Sequence, residues 1–297
     1  MKSFEKYKVT EEHAGLTVLD YLKTILHYSG RRIQKLTREK GIFLNGRTVF
    51  LQKKVKAEDT LRVLATQDSS YGLQPEPGPI EILYEDKYLF VLNKTAGQLV
   101  HPTGQTTSDT LANYLAYELQ QRDIVSTVRV IHRLDRDTSG CIIFAKDSRS
   151  QFMLEQQLQA GMLQRTYLAL ARGIVCPASG TIDAPIGPHP KLPNRRAINK
   201  SGEPAVTHYR TIRNSSNASL LELELETGRT HQIRIHLAHL GFPIIGDGMY
   251  GVRPPGINRQ ALHACSVCFR HLRDNQPITV NAPLPADLIK IIDLYTE

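Results

Sequence analysis

Short apolar segments at helical and strand spacings divide the first 65 residues of the chain into small elements. The pattern predicts two helices, and Ser29 is suited to cap the second of them. Asn45-Gly46 favours a type I′ turn, so the apolar run around it predicts a hairpin. In chain order, the predicted elements are a helix over 16–26, a helix from Ser29 that ends at Gly41, a hairpin over 42–49 and a strand over 61–64.

A break in composition follows these elements. Three prolines and two glycines lie between Ser69 and Pro79, and such a stretch cannot form a helix or a central strand. We therefore predict a linker over residues 71–79 that joins a first domain, residues 1–70, to a second domain, residues 80–297.

Beyond the linker, apolar segments of strand length outnumber helices. Residues 221–226 alternate between leucine and glutamate, as expected of a strand with one face in water. Strands and helices do not alternate regularly, which favours an α+β fold with a mixed, mainly antiparallel sheet flanked by helices. Strands are predicted over 80–84, 88–92, 141–145, 166–171 and 220–226, and helices from Ser108 or Asp109, from Asp147 or Ser148, and from a cap at Thr230 to Gly241.

The chain has 297 residues, of which 41% are hydrophobic and 22% are charged. These proportions are typical of a soluble globular protein and exclude a fibrous or mainly disordered chain. No segment has the roughly 18 uncharged apolar residues that a membrane span needs, and the start at Met1 lacks the apolar core of a signal peptide. Four cysteines are too few for a disulfide scaffold, so we expect a cytoplasmic protein.

Positive charge is concentrated in the first quarter of the chain. The net charge is +8, and residues 1–70 carry +6 of it. Localised positive charge suggests a polyanionic partner, most often nucleic acid, although a basic face kept for solubility gives the same composition.

Many of the basic residues of the first domain lie on its second predicted helix and after its hairpin. Their spacing on the helix puts several of them on one face, where they can contact RNA phosphates. The order of elements over residues 13–68 resembles the small alpha-L RNA-binding domain. The resemblance and the charge together predict RNA contacts for Arg31, Arg32, Lys35, Arg38, Lys53 and Lys54.

A charged, turn-forming run between two apolar strands is the strongest candidate for chemistry. Asp135 lies in this run between Arg133 and Arg136, and Thr138 and Ser139 follow it. Loops at strand ends commonly present catalytic groups, whereas residue types alone also allow a surface turn with a salt bridge.

The same run resembles the signature of the RluA family of pseudouridine synthases, with His132-Arg133-Leu134-Asp135 followed by Thr138-Ser139-Gly140. The resemblance implies a pseudouridine synthase core, an N-terminal alpha-L domain of the kind common in the family, and Asp135 as the essential catalytic residue. Further matches to the family follow the family order at 85–102, 165–169, 228–237, 246–251 and 262–264.

Two residues depart from the family pattern. Arg165 stands where the family commonly has lysine, which keeps the positive charge, whereas Glu203 stands where lysine is frequent and reverses it. The second change leaves the choice of RNA open but does not affect the expected chemistry.

The conversion of uridine to pseudouridine breaks a carbon–nitrogen bond and forms a carbon–carbon bond within one nucleotide. It needs an ionised carboxylate near the sugar, a role that suits Asp135, and a base that removes the proton from carbon five of the uracil. By resemblance, Arg229 keeps Asp135 ionised in a charge-assisted pair, and Tyr167 stacks on the flipped uracil as a candidate base. A core tyrosine and an arginine beside a helix N-terminus are the alternatives for these two residues. Further contacts with the substrate or RNA are expected from His132, Arg133, Thr138 and Arg165.

Metal and cofactor sites find little support in the sequence. Cys265 and Cys268 form a C-x-x-C pair without a second such pair, and His231, His236 and His239 lack the spacing of zinc hydrolases. No glycine-rich phosphate-binding motif is present, and the isomerisation needs no redox change or group donor. We therefore expect neither a metal nor a cofactor.

The sequence thus predicts that a monomeric enzyme isomerises specific uridines in structured RNA. The resemblance favours large-subunit ribosomal RNA over transfer RNA. Two alternatives remain: a non-catalytic RNA-binding or ribosome-assembly factor on the same fold, and a nucleoside hydrolase that acts on small molecules.

Overall fold

The computed structural model describes residues 3–65, 68–104, 106–192, 195–254 and 256–296. Residues 1, 2, 66 and 67 of the predicted first domain lie outside the described residues. The described part of that domain forms β1 (Phe4–Lys8), α1 (Val18–Asp20), α2 (Gly30–Arg38), β2 (Ile42–Leu44), β3 (Arg47–Thr48) and β4 (Thr60–Leu64). Its strands form an antiparallel sheet in the order β1-β4-β2-β3, and it has an apolar core of its own.

Local sequence features account for several of these elements. The Ser29 hydroxyl accepts a hydrogen bond from the backbone N–H of Arg32, which confirms the predicted cap of α2. Asn45 and Gly46 have φ angles of 49° and 81°, as a type I′ turn requires, so the predicted hairpin is confirmed. The first predicted helix is less regular, because α1 continues as a π-helical turn over Tyr21–Ile25.

The predicted linker packs against the larger, C-terminal part of the chain. Tyr71 and Leu73 contact its apolar core, and the Tyr71 carbonyl accepts a hydrogen bond from the Val128 N–H at 2.9 Å. The side-chain amide of Asn113 donates to another carbonyl of the segment at 2.7 Å. Residues 71–79 therefore lie along the larger domain, and the division of the chain at residue 70 stays a prediction.

Ten of the described strands in the larger domain form one sheet. Its path runs β10-β13-β14-β9-β15-β8-β6-β5, with β16 beside β15 and β7 beside β8. Neighbouring strands are antiparallel except β8 and β15, which are parallel, so the predicted mixed, mainly antiparallel sheet is confirmed. The strands are β5 (Ile82–Glu85), β6 (Leu89–Lys94), β7 (Arg129–Val130), β8 (Ser139–Ala145), β9 (Gln164–Arg172), β10 (Ser179–Asp183), β13 (Val206–Asn214), β14 (Ala218–Leu225), β15 (Leu262–Arg270) and β16 (Pro277–Asn281), and a separate pair is β11 (Ile186–Pro188) and β12 (Arg196–Ile198).

Helices flank this sheet and cover the apolar side chains of both its faces. Alternate residues of β6 belong to different cores: Phe90 and Leu92 to one, Leu89 and Val91 to the other, as the period of a strand dictates. The first core includes residues of α3 and α6, and the second includes Leu154 of α4. The helices are α3 (Leu111–Gln121), α4 (Ser148–Gln159), α5 (Gln232–His239) and α6 (Ala286–Thr296).

The predicted N-caps are confirmed for α4 and wrong for α3 and α5. Asp147 caps α4 through its carboxylate. Thr110 caps α3, because Asn113 three residues on completes a capping box that the two earlier candidates cannot form. Helix α5 follows His231 instead of Thr230, and His231 has a left-handed φ of 61°.

Candidate active site

The loop that carries Asp135 connects β7 to β8 and is fixed by hydrogen bonds on both sides. The Thr138 N–H donates to the Asp135 carbonyl at 3.1 Å. The Arg136 carbonyl accepts from the Gly97 N–H at 3.0 Å and from the Lys94 ammonium at 2.8 Å. The backbone around Asp135 is therefore positioned before a substrate binds.

Lys94 is a fully buried lysine beneath this loop. Its ammonium donates to the carbonyls of Thr95, Gln98 and Arg136, each at 2.8 Å, and so uses all three of its donors. Burial lowers the pKa of Lys94 to about 7, while two nearby carboxylates act in the opposite direction. Lys94 belongs to the segment 85–102 that matches the family, and its hydrogen bonds connect this segment to the loop that carries Asp135.

Gly140 lets β8 approach β15 closely at the point where the loop ends. Its φ is +111°, and a Cβ atom at this position would lie 2.2 Å from the Ala264 carbonyl oxygen. One residue earlier on each strand, Ser139 Oγ and His263 Nδ1 are hydrogen-bonded at 2.9 Å. The glycine that ends the motif is therefore required by the packing of the two strands.

Arg234 on α5 forms an ion pair with Asp135. Its Nη1 lies 3.1 Å from Asp135 Oδ2, while its Nε and Nη2 bind the two oxygens of Asp247 at 2.7 and 2.9 Å. Asp247 is fully buried and also accepts hydrogen bonds from the backbone N–H groups of Met249 and Tyr250. Arg234 thus lies between two carboxylates and presents one edge of its guanidinium to Asp135.

This arrangement corrects the partner predicted for Asp135. The guanidinium of Arg229 forms an ion pair with Glu203 and donates to the Pro204 carbonyl at 3.0 Å, so it does not hold Asp135. Glu203 is the residue that departs from the family pattern, and it gives Arg229 a carboxylate of its own. Arg229 lines the same cleft as Asp135, and its catalytic role stays a prediction.

Opposite charges stabilise the ionised forms of the buried pair. Burial disfavours the charged form of Asp247, but hydrogen bonds and the charge of Arg234 outweigh it and lower the pKa of Asp247. Burial acts against the charge of Arg234 as well, but Asp247 and Asp135 outweigh it and raise the pKa of Arg234. Arg234 and Asp247 are therefore both charged at neutral pH.

The side chain of Asp135 is 15% exposed and lines a cleft that opens to solvent. The structure brings together here most of the residues predicted to act on the substrate. Residues that line the cleft include Arg133, Asp135, Arg165, Tyr167, Arg229 and His231.

Tyr167 lines the cleft from β9 and is 4% exposed. Burial raises the pKa of Tyr167; the charge of Arg165 opposes this effect and that of Asp135 adds to it. The phenol therefore keeps its proton at neutral pH. Contact with a base through the neutral ring or hydroxyl is favoured over proton removal by a phenolate.

Two residues predicted to contact the substrate or RNA are buried around the loop. His132 is 7% exposed, its Nε2 accepts from the Ile143 N–H at 3.3 Å, and burial lowers its pKa to about 3. His132 is not among the residues that line the cleft, and its contact with the substrate or RNA stays a prediction. Thr138 is also buried and accepts from the amide of Gln260 at 3.3 Å, whereas Arg133 is exposed at the cleft.

Sequence reasoning assigned no function to Arg234, Asp247 or His231. A weak signal for Arg234 exists, because Ile233 and Ile235 flank it in a predicted helix and a buried arginine usually has a partner. His231 lies 3.0 Å from the Tyr250 hydroxyl through Nδ1, a contact that only the fold creates.

Of the six residues of the first domain predicted to contact RNA, five are exposed and Arg32 is half-buried. Arg32 stacks on the ring of Tyr28, 3.7 Å from its centroid. RNA contact by these residues stays a prediction. Those exposed to solvent are Arg31, Lys35, Arg38, Lys53 and Lys54.

Within the described residues, no group of three or more His, Cys, Asp or Glu side chains could hold a metal ion. The four cysteines are free, and the thiol of Cys265 donates to the Thr166 carbonyl at 3.3 Å. Over the same ranges, no helix is both long enough and apolar enough to cross a membrane.

Comparison with known proteins places this geometry in a family. The family model described as RNA pseudouridylate synthase matches residues 88–239, which include Asp135 and Tyr167. The chain is 40% identical over 291 residues to the uncharacterized RNA pseudouridine synthase YhcT of Bacillus subtilis, a match that covers 97% of this chain and 96% of that protein. It is 36% identical over 295 residues to the ribosomal large subunit pseudouridine synthase D of Nitrosomonas europaea, covering 96% and 86%. The solved structure of human RNA pseudouridylate synthase domain containing 1 is 26% identical, with a TM-score of 0.58 over 71% of this chain and 86% of that chain.

Proposed function

The chain belongs to the RNA pseudouridylate synthase family, of the RluA type, and from that premise we propose that it isomerises specific uridines of large-subunit ribosomal RNA. The observation that carries the proposal is the carboxylate of Asp135 at the cleft, held by Arg234 and accompanied by Tyr167. The relative from Nitrosomonas europaea is named for the ribosomal large subunit, which supports ribosomal over transfer RNA as the substrate. The exposed basic residues on α2 support an RNA partner.

The reaction begins with a uridine that has left its helical stack and entered the cleft. The Asp135 carboxylate attacks the sugar or stabilises positive charge on it while the bond between C1′ and N1 breaks. Arg234 orients the carboxylate through Nη1, and Asp247 holds Arg234 from the other side. Arg234 and Asp247 thus fix the orientation of the Asp135 carboxylate, and neither needs to contact the substrate.

The detached uracil must then turn so that C5 faces C1′. The ring of Tyr167 supplies a flat surface on which the base is held during this turn. Once C5 has bonded to C1′, the proton on C5 leaves. The protonated phenol of Tyr167 is poorly suited to accept it, so we assign this step to Asp135, which is a free carboxylate again at that stage.

Mapping new pseudouridines after incubation with unmodified ribosomal and transfer RNA tests the proposal. We expect conversion at defined positions of large-subunit ribosomal RNA. Conversion in transfer RNA alone would show that the substrate is wrong. RNA binding without any conversion would favour the non-catalytic RNA-binding factor.

Neutralising three exposed residues of α2 should weaken RNA binding and flatten its salt dependence. Each lost phosphate contact lowers the log–log slope by about 0.7 to 0.9, so Arg31→Gln, Lys35→Gln and Arg38→Gln together remove about two units. The rate at saturating RNA should change little, because these residues lie outside the cleft. Filter binding from low to high salt measures the slope. Lys290→Gln, an exposed change on α6, is the control, and an equal slope for the triple variant and wild type would contradict RNA contact by α2.

Chelators should leave the activity unchanged, because the residues of the cleft supply carboxylate and guanidinium groups and the chemistry needs no metal. The measurement is pseudouridine formation with and without EDTA. Loss of activity in EDTA that zinc restores would indicate a zinc site at Cys265 and Cys268. Restoration by magnesium would indicate an effect on RNA folding.

We further propose that the chain acts as a monomer in the cytoplasm. Asp135, Arg234 and Tyr167, the residues assigned to the chemistry, come together within one chain. Four free cysteines are suited to a reducing compartment.

A further inference from the structure

Arg165 is a buried cation without a carboxylate partner. The residue is 4% exposed, and its Nη2 donates to the carbonyls of Leu225 and Thr227 at 3.3 Å each. Its Nε is buried and has no hydrogen-bond partner. Across the described ranges, no Asp or Glu oxygen forms an ion pair with it. Such a charge costs stability, because burial removes water and two carbonyls replace it only in part.

The guanidinium of Arg165 lies at the cleft, close to Tyr167. Arg165 and Tyr167 are two residues apart on β9, so their side chains share one face of the sheet, and both line the cleft with Asp135. A Cβ atom at position 228 would lie 2.9 Å from Arg165 Nη1, so Gly228 leaves space for the guanidinium. The cation therefore lies where Tyr167 would hold a uracil ring.

The proposed reaction creates negative charge at that place. When the bond between C1′ and N1 breaks, its electron pair stays with the base, and the charge is shared among N1, O2 and O4. This electron pair then forms the new bond between C5 and C1′. The proton on C5 leaves and N1 gains a proton, so the reaction needs no oxidant and no group donor. A fixed cation in a site of low dielectric stabilises such an anion without having to reorganise.

We propose that Arg165 is a catalytic residue that stabilises the detached uracil anion, and this inference rests on the proposed function. It explains why a costly unpaired guanidinium is kept beside Tyr167.

Single-turnover rates of Arg165→Met and Arg165→Lys at saturating RNA test the inference. We expect the methionine variant to lose about 10²-fold or more in rate, the scale of removing one stabilising donor. Its Kd for RNA should change less than about threefold, and its melting temperature should stay equal or rise, because an unpaired buried charge is gone. The lysine variant should stay within about tenfold of wild type. Arg172→Met, at the exposed end of the same strand, is the matched control.

Other outcomes of this experiment would contradict the inference. A methionine variant with a normal saturating rate but weak RNA binding would make Arg165 a phosphate contact. A lower melting temperature together with a slow lysine variant would make it structural, and if the methionine variant does not fold, the rate of the lysine variant decides. The wild-type protein in the same assay tests the proposed function separately. If it converts uridines only in transfer RNA, the proposed ribosomal substrate is wrong, but the ratio of variant to wild-type rates still tests the role of Arg165. If it converts uridines in neither RNA, both the proposed function and the role of Arg165 are wrong.

Discussion

Replacing Asp135 with asparagine should abolish pseudouridine formation while RNA binding and folding persist. The amide keeps the shape of the carboxylate and can still accept from Arg234 Nη1 at about the present 3.1 Å, but it can neither attack a sugar carbon nor accept the C5 proton. Removing such a group costs at least about 10⁴-fold in rate. The measurement is the rate of new pseudouridine formation in a single turnover with excess enzyme.

Asp137→Asn is the matched control for this prediction. It removes the same charge two positions along the same loop, and the Asp137 carbonyl, which accepts from Arg259 at 3.3 Å, is unchanged. We expect its rate to stay close to that of wild type. If the Asp135 variant turned over at the wild-type rate, the assignment of Asp135 would have to be abandoned. Equal losses in both variants would indicate a general need for negative charge in the loop.

The parts of the fold that sequence predicts well are those that a few neighbouring residues decide. Asn45 and Gly46 make a type I′ turn because both tolerate positive φ, and Asp147 caps α4 because its carboxylate reaches the first free N–H groups. The loop with Asp135 is of the same kind, since its turn-forming residues separate two apolar strands.

The partner of Asp135 could not be predicted in this way. Arg229 and Arg234 both belong to one motif, and the choice between them depends on how the chain enters α5. It does so through His231 in a left-handed conformation, which few non-glycine residues adopt and which no local pattern signals. The ion pair joins positions 99 residues apart, so only the packing of α5 against the loop reveals it.

The Arg234→Met variant should lose both stability and activity. Arg234 is 8% exposed in its side chain and binds the fully buried Asp247 through two hydrogen bonds. Removing one partner of a buried ion pair leaves an uncompensated charge and costs about 3–5 kcal/mol. Asp135 also loses the group that orients it, which should lower the rate by about 10²-fold or more.

The stability defect of Arg234→Met should depend on pH. The folded-state pKa of Asp247 lies below the ordinary value of 3.8, so its stabilising effect is complete above that value and is lost as the pH falls through the lower, folded pKa. The difference in free energy of unfolding between wild type and variant should therefore be large at pH 7 and shrink below about pH 4. Urea unfolding at both pH values measures it. The double variant Arg234→Met, Asp247→Leu removes both charges and should recover much of the stability at pH 7 but none of the activity, because Asp135 still has no arginine beside it. Recovery of activity in the double variant would show that Arg234 serves only to neutralise Asp247.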